Sequence, residues 1–313
     1  MGKKIVILTL LLAAAMAASL LFGSTWLWDS SPRLQAAILT NVRIPRMIGC
    51  MLAGSALALS GYVLQAVLAN PLASPSITGI QSGAGLGSVL VCALVPGMYL
   101  QVPASFAGAL ASGGIILALC TRFRSSRTTI VLAGLAAGQL CGAVIDLILV
   151  FFPDALAGYS AFRMGSFAGL TLNKIGLSLY IIPAALILTI LCARQLEMLM
   201  LGSETAQSLG LDSRRWTTVF MGLASLLAAS VVAYAGLISF AGLIVPHIIK
   251  KTLPTDTRLQ MTGCVLGGAA FMLICDLAGR LLAAPYELPT GIILSLAGAP
   301  YFLWLLFHRR KRV

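Results

Sequence analysis

Charge is what this sequence has least of. Only 10% of its 313 residues are Asp, Glu, Lys or Arg, and the acidic share is nine residues. Soluble domains carry about 25% charged residues. With 59% hydrophobic residues and a mean hydropathy of +0.99, the chain has too little polar surface to coat a water-soluble globule. It is long enough for about ten membrane spans at roughly 20 residues each. Histidine is nearly absent as well. His247 and His308 have no metal-ligand spacing, and the chain contains neither a Ser/His/Asp arrangement nor a phosphate-binding loop. No catalytic residue, metal site or cofactor is therefore expected, and the chain cannot hydrolyse ATP by itself. The seven cysteines include no Cys-x-x-Cys pair and fall within or at the ends of apolar runs. They read as small packing residues and point to no redox compartment. No tandem repeat of fixed period is visible. The net charge of +12 comes from short basic clusters between apolar runs, which suits orientation in a membrane rather than a nucleic-acid partner.

What is present is organised around the stretch 43–87. It opens Arg43-Ile-Pro-Arg46, runs through twenty mostly apolar residues to Ser60-Gly-Tyr-Val-Leu-Gln65, and then breaks at Asn70-Pro-Leu-Ala-Ser-Pro75 before a Gly-rich run. The two prolines remove donors and disfavour helix in the residues before them. Backbone freed in this way at membrane depth survives only where protein or a water-filled cavity satisfies it. The stretch around Asn70 is thus the first candidate for lining a path through the membrane. A second Gly/Pro-interrupted stretch, 236–246, occupies the other half of the chain, an arrangement that can mark a transport pathway.

Spans are expected at about 5–22, 44–66, 82–100, 104–121, 128–151, 175–193, 216–235, 237–249, 260–282 and 288–307. The first follows Lys3 and Lys4 and exceeds the roughly 7–15 apolar residues of a signal peptide, so it reads as retained. Trp26 and Trp28, in the polar stretch after it, suit an interfacial belt. Ten spans put both termini on one side. If that side is the cytoplasm, it holds 15 of the 21 basic residues, the bias that orients membrane proteins. Arg33, Arg43, Arg46, Arg163, Lys174 and Arg280 are left facing outward without a topological reason.

Two features could carry function. In the long polar segment 194–215, Gly202, Ala206 and Leu209 fall at helical spacing on one face, and Gly210 is placed to end that helix in a left-handed conformation. Such a cytoplasmic helix either folds back on its own spans or docks to a cytosolic partner. Asp146 lies in the middle of the span 128–151, and an intramembrane carboxylate is by default a functional candidate. It either faces the pathway or pairs with a neighbouring helix. An ion-coupled secondary transporter using Asp146 is the alternative reading. Asp276 sits four residues before Arg280 and suits an orienting ion pair.

The motifs Arg43-Ile-Pro-Arg46, Ser60-Gly-Tyr-Val-Leu-Gln65, Asn70-Pro-Leu-Ala-Ser-Pro75, Leu201-Gly-Ser-Glu-Thr-Ala206, the run 236–247, Asp276-Leu-Ala-Gly-Arg280, Glu287-Leu-Pro-Thr-Gly291 and Gly298-Ala-Pro300 occur in this order and at these spacings. Together they resemble the permease subunits of the iron-chelate/cobalamin (FecCD) family of type II ATP-binding-cassette importers, which take up ferric siderophores, haem or vitamin B12. The resemblance implies an all-α polytopic membrane protein of the bacterial inner membrane, one permease domain over 1–313 with 194–215 as its cytoplasmic coupling segment. Broken or re-entrant helices would line a pathway at a dimer interface. It also implies a second permease subunit (a copy or a paralogue), two cytosolic ATPase subunits and an external binding protein. Leu199, Gly202, Glu204, Ala206, Leu209 and Gly210 would belong to the part seated in the ATPase, with Ala206 facing the contact. Asn70 and Leu72 would lie at the cytoplasmic gate and Ser126 and Thr128 near the other gate. Arg43, Arg46 and Arg280 would face outward and receive carboxylates of the binding protein.

Overall fold

The computed structural model describes residues 2–23, 31–76, 78–95, 100–122 and 127–309. Among the described residues there are helices and turns and no strand. The helices are α1 (Gly2–Leu21), α2 (Pro32–Ile38), α3 (Ile44–Val67), α4 (Ile80–Leu94), α5 (Gln101–Arg122), α6 (Arg127–Phe151), α7 (Ala155–Met164) and α8 (Leu172–Ile175). They continue as α9 (Ser178–Leu191), α10 (Ala193–Met200), α11 (Ser203–Ser208), α12 (Ser213–Ala235), α13 (Ala241–Thr252), α14 (Thr257–Leu281) and α15 (Thr290–Arg309). A π-helical turn, Leu39–Arg43, joins α2 to α3.

Among the described residues, six helices are long and apolar enough to cross a membrane: α1, α2–α3 taken as one, α5, α6, α12 and α14. A seventh is reached if α9 and α10, bent by 57° at Cys192, count as one broken span. α4 and the Thr290–Trp304 part of α15 are apolar but shorter, and α13 has 12 residues. Length and composition alone therefore stop short of ten. The deficit falls where the chain is interrupted, at 68–79 before α4 and at 236–240 before α13.

The core is the second span. Residues 53–68 of α3 and its end are all buried, and α12, α13 and α14 pack around it. The close approach comes from glycine pairs. A Cβ on Gly54 would sit 2.0 Å from the Gly268 carbonyl of α14, and one on Gly268 would sit 2.3 Å from the Gly54 carbonyl. α4 and α5 meet in the same way through Gly83 and Gly108. In lipid, where apolar area gives little drive for association, such small-residue seams let dispersion and backbone contact hold helices together. Cys50, Cys264 and Cys275 are buried among the apolar residues, and the cysteines described are free thiols. Trp26 and Trp28 lie outside the described residues.

Helix directions follow from contacts at the two poles. The C-terminal end of α1, the N-terminal end of α3 and the C-terminal end of α14 meet at one pole through Arg43, Arg46 and Arg280. At the other pole Lys4, at the start of α1, donates to the Thr252 carbonyl at the end of α13.

Candidate functional site

Three places concentrate polar groups. At the first pole Asp276, fully buried, accepts from Arg46 Nε (2.9 Å to Oδ2) and Arg46 Nη2 (2.9 Å to Oδ1), and from the Thr290 hydroxyl (3.0 Å to Oδ1). Arg280 Nε lies 3.2 Å from its Oδ2, and Arg46 Nη1 donates to Glu287 at 2.7 Å. α1 ends at Leu21, and the last carbonyls of a helix have no partner within it. Here guanidinium groups take them. Arg43 Nη1 donates to the Leu20 and Leu21 carbonyls (2.6 and 2.9 Å), while Arg280 Nη1 donates to those of Ser19 and Phe22 (3.2 and 3.1 Å). Cations also suit the negative end of a helix dipole.

Arg43, Arg46 and Arg280, expected to receive carboxylates of another protein, are instead turned onto acceptors of this chain. They are 4%, 5% and 3% exposed. The physical reason is that the same pole supplies acceptors from this chain, and a desolvated charge is tolerable only with such partners. The i, i+4 ion pair of Asp276 with Arg280 is present as expected. The sequence spacing could not reveal Arg46, 230 positions away from Asp276. Of the six cations expected to face outward, Arg33 on α2 and Arg163 on α7 are exposed and Lys174 of α8 is half-buried.

The second place is the pair of breaks. After α3 the chain turns at Ala69, whose φ is +46°, and Asn70 stabilises the turn by accepting from the Leu72 N–H at 2.9 Å. Asn70 and Leu72 are half-buried, whereas Ala73, Ser74 and Pro75 are buried. The chain thus folds back into the bundle before α4 begins at Ile80, as the prolines and the Gly-rich run led one to expect. The second break, at Gly236 to Phe240, lies against it. Phe240 has φ +66°, and its ring packs so closely on α15 that a Cβ on Gly298 would be 2.4 Å from Phe240 Cγ. Ala69 and Phe240 are the non-glycine residues with positive φ among the described residues. A positive φ costs such residues of order 1–3 kcal/mol and clusters at functional sites. Pro71, Phe240, His247 and Tyr301 line a pocket of about 10 Å³ between the breaks, room for a single water.

The third place is α10 and α11 at the opposite pole. Gly210 has φ +83°, the Leu211 N–H bonds the Ala206 carbonyl and the Gly210 N–H that of Gln207, each at 2.9 Å. This is the left-handed helix end expected from the sequence. The helical face read from Gly202, Ala206 and Leu209 is divided, however. Ala206 is fully buried and Leu199 nearly so, both in the chain's own core cluster, while Glu204, Leu209 and Gly210 are exposed and Gly202 is half-buried. Ala206 is therefore covered by this chain's own residues. α11 ends at Ser208, so Leu209 belongs to the turn and points elsewhere. Arg194, Glu197, Asp256 and Arg258 line an open polar cleft of about 490 Å³ beside this segment.

Of the remaining candidates, Asp146 is exposed on α6, most of whose residues are exposed or half-buried, and it forms no ion pair among the described residues. Thr128 is exposed at the start of the same helix, and Ser126 lies outside the described residues.

The sequence profile described as the FecCD transport family matches residues 4–308. The hemin transport system permease protein HmuU of Yersinia pestis is 35% identical over 321 residues, covering 100% of this chain and 96% of that one. The vitamin B12 import system permease protein BtuC of Escherichia coli O9:H4 (strain HS) is 35% identical over 315 residues, covering 97% and 94%. Among solved structures, one of an inward-facing conformation of a transporter assigned to the metal-chelate type of ABC transporter matches with a TM-score of 0.91 at 27% identity, over 98% of this chain and 100% of that one. PsaBC from Streptococcus pneumoniae, in complex with Fab, shares the fold at a TM-score of 0.62 and 14% identity, over 87% and 93%. None of these comparisons supports an ion-coupled secondary transporter.

Proposed function

The chain belongs to the FecCD transport family, and from that premise we propose that it is the membrane permease of an ATP-driven importer for a metal chelate: a ferric siderophore, haem or cobalamin. The observation that carries this reading is the pair of breaks packed together inside a bundle that matches the family over its whole length. Non-helical backbone within a membrane protein is kept where it lines or controls a path. Nothing in that arrangement performs covalent chemistry; it can only open and close.

In this reading the ten spans are α1, α3, α4, α5, α6, α9 with α10, α12, α13, α14 and α15, within one permease domain over 1–313. Both termini are cytoplasmic, and the Arg46–Asp276 pole is external. A second permease subunit, a copy or a paralogue, covers the exposed face of α6, because a carboxylate such as Asp146 is costly against lipid. The pathway runs along that interface, with Asn70 and Leu72 at its cytoplasmic gate and Ser126 and Thr128 near the other gate. Two ATPase subunits bind segment 194–215 through its exposed side, Glu204, Leu209 and Gly210. An external binding protein delivers the chelate. ATP binding and hydrolysis move the subunits against each other and alternate access to the cavity.

Reconstitution in vesicles with the partner ATPase and binding protein tests this. Uptake of labelled haem, cobalamin or a ferric siderophore should need ATP and the binding protein, and should stop when the ATPase is inactivated with ion gradients intact. Uptake that follows an ion gradient and ignores ATP would sink the proposal.

A further inference from the structure

Pro246 lies inside α13 and has no N–H, so the carbonyl four residues before it, that of Gly242, lacks the usual i+4 helical donor. That oxygen has a donor from elsewhere. Gln65, near the end of α3 and 5% exposed, gives its Nε2 to the Gly242 carbonyl at 3.2 Å. The orientation of the amide is fixed by its other neighbour: Gln65 Oε1 accepts from Lys250 Nζ at 2.9 Å, and an ammonium group can only donate. Across the first break, Gln81 at the start of α4, 6% exposed, donates Nε2 to the Ile238 carbonyl at 2.6 Å, in the non-helical run before α13. The backbones touch as well. A Cβ on Gly61 would lie 1.9 Å from the Gly242 oxygen, and one on Gly242 would lie 3.3 Å from Pro75. One glutamine on each side of the first break thus holds a carbonyl of the second.

We propose that the two breaks form a single moving unit, in which Gln65 supplies the donor that Pro246 lacks and, with Gln81, ties the Asn70–Leu72 stretch to the start of α13. The inference rests on the permease reading and gives that gate its mechanical link. When α13 shifts, the gate stretch shifts with it. Separation would leave the Gly242 and Ile238 carbonyls without donors in a region that excludes water. Gln65 and Gln81 are positioning residues.

The test is a double-substitution cycle in the permease reconstituted with its ATPase and binding protein. Gln65→Met keeps length and removes the donor. Gln65→Glu keeps an acceptor for Lys250 and also removes the donor. Pro246→Ala returns the missing N–H to the helix. Each single Gln65 variant should lower chelate uptake per ATP hydrolysed by about tenfold, the scale of one unsatisfied buried carbonyl. A thiol at Leu72→Cys, in a cysteine-free background, should lose the ATP dependence of its labelling. Gln65→Met with Pro246→Ala should recover to within about threefold of Pro246→Ala alone, since the helix then satisfies its own carbonyl. If Gln65→Met fails to insert, recovery of inserted protein in the double variant supports the donor role of Gln65, and the Leu72→Cys labelling in that double variant, still without its ATP dependence, supports the link. Wild-type behaviour of both single variants, or a double variant no better than Gln65→Met, overturns it. A wild-type complex that takes up no chelate would instead sink the permease reading, while the Leu72→Cys labelling and the inserted yield still decide the link.

Discussion

The charged groups at the two poles of this molecule look alike in sequence and are unlike in space. Arg43, Arg46 and Arg280 flank apolar spans, as do Arg194, Glu197 and Glu204. The first three are buried in hydrogen bonds to this chain's own carboxylates and carbonyls, whereas Arg194, Glu197 and Glu204 are exposed. The difference lies in what each pole offers. Asp276, Glu287 and the unpaired carbonyls ending α1 converge on the first pole, where three helix ends meet. At the second, α10 packs on α3, α12 and α14 and α11 on α12, and both keep an exposed side. A charge at a span end is architectural where helix ends close around it and available where a helix lies over them.

Removing Asp276 gives the strongest way to break that contrast. Asp276→Ala leaves two buried guanidinium groups without their shared carboxylate, and breaking a buried pair in this way costs about 3–5 kcal/mol. The expected result is a sharp fall in detergent-solubilised thermal stability and in inserted yield. Glu287→Gln, at a side chain 28% exposed, should be far milder. An Asp276→Ala permease that is as stable as wild type and fails only to engage its binding protein would restore a docking role to this pole.

The same contrast bears on what the sequence could disclose. Apolar runs placed α3 and α6 within a residue or so of their observed ends, since a span in lipid must satisfy its backbone internally and so reads as an uninterrupted run. Prolines and glycines marked where both breaks begin and the turn at Gly210, because those residues act on their own backbone, but the interrupted stretches are longer than the breaks themselves: 80–87 and 241–246 are helical, Pro246 included. The direction of Arg46 was hidden because its partner is remote in the chain. A usable signal did exist: two of only nine acidic residues, Asp276 and Glu287, flank Arg280, and scarce carboxylates in a low-dielectric bundle attract whatever cations are near. In the same way, Pro246 announces that the Gly242 carbonyl needs a donor, but only the fold names Gln65.

Segment 194–215 allows the contrast to be sharpened within one pole. Ala206→Glu would place a charge in a fully buried contact, so the short helix should detach from α10 and α12. We expect lower thermal stability together with loss of ATPase co-purification. Leu209→Glu, on the exposed turn three residues on, should leave stability within about 0.5 kcal/mol of wild type and yet weaken co-purification. If the two variants lose the ATPase with equal stability, Ala206 faces the partner after all and the helix is turned the other way.

The smallest effect is expected from the outward cations that the chain does not use internally. Arg33 and Arg163 are exposed, and with Arg43, Arg46 and Arg280 committed to α1 and Asp276, they are the candidates for meeting acidic groups on a binding protein. An exposed ion pair contributes only about 0.2–1 kcal/mol, so either Arg→Ala change alone should be hard to detect. Complementary surface charge acts mainly on the rate of encounter. Arg33→Glu combined with Arg163→Glu should therefore slow association of the binding protein with the assembled permease by several-fold at low salt. The difference should shrink as ionic strength approaches 0.15 M, where the screening length is about 8 Å. Dissociation should change little, because buried groups set it. An association rate that is unaffected by the double reversal at every salt concentration would show that docking does not depend on exposed charge at this pole.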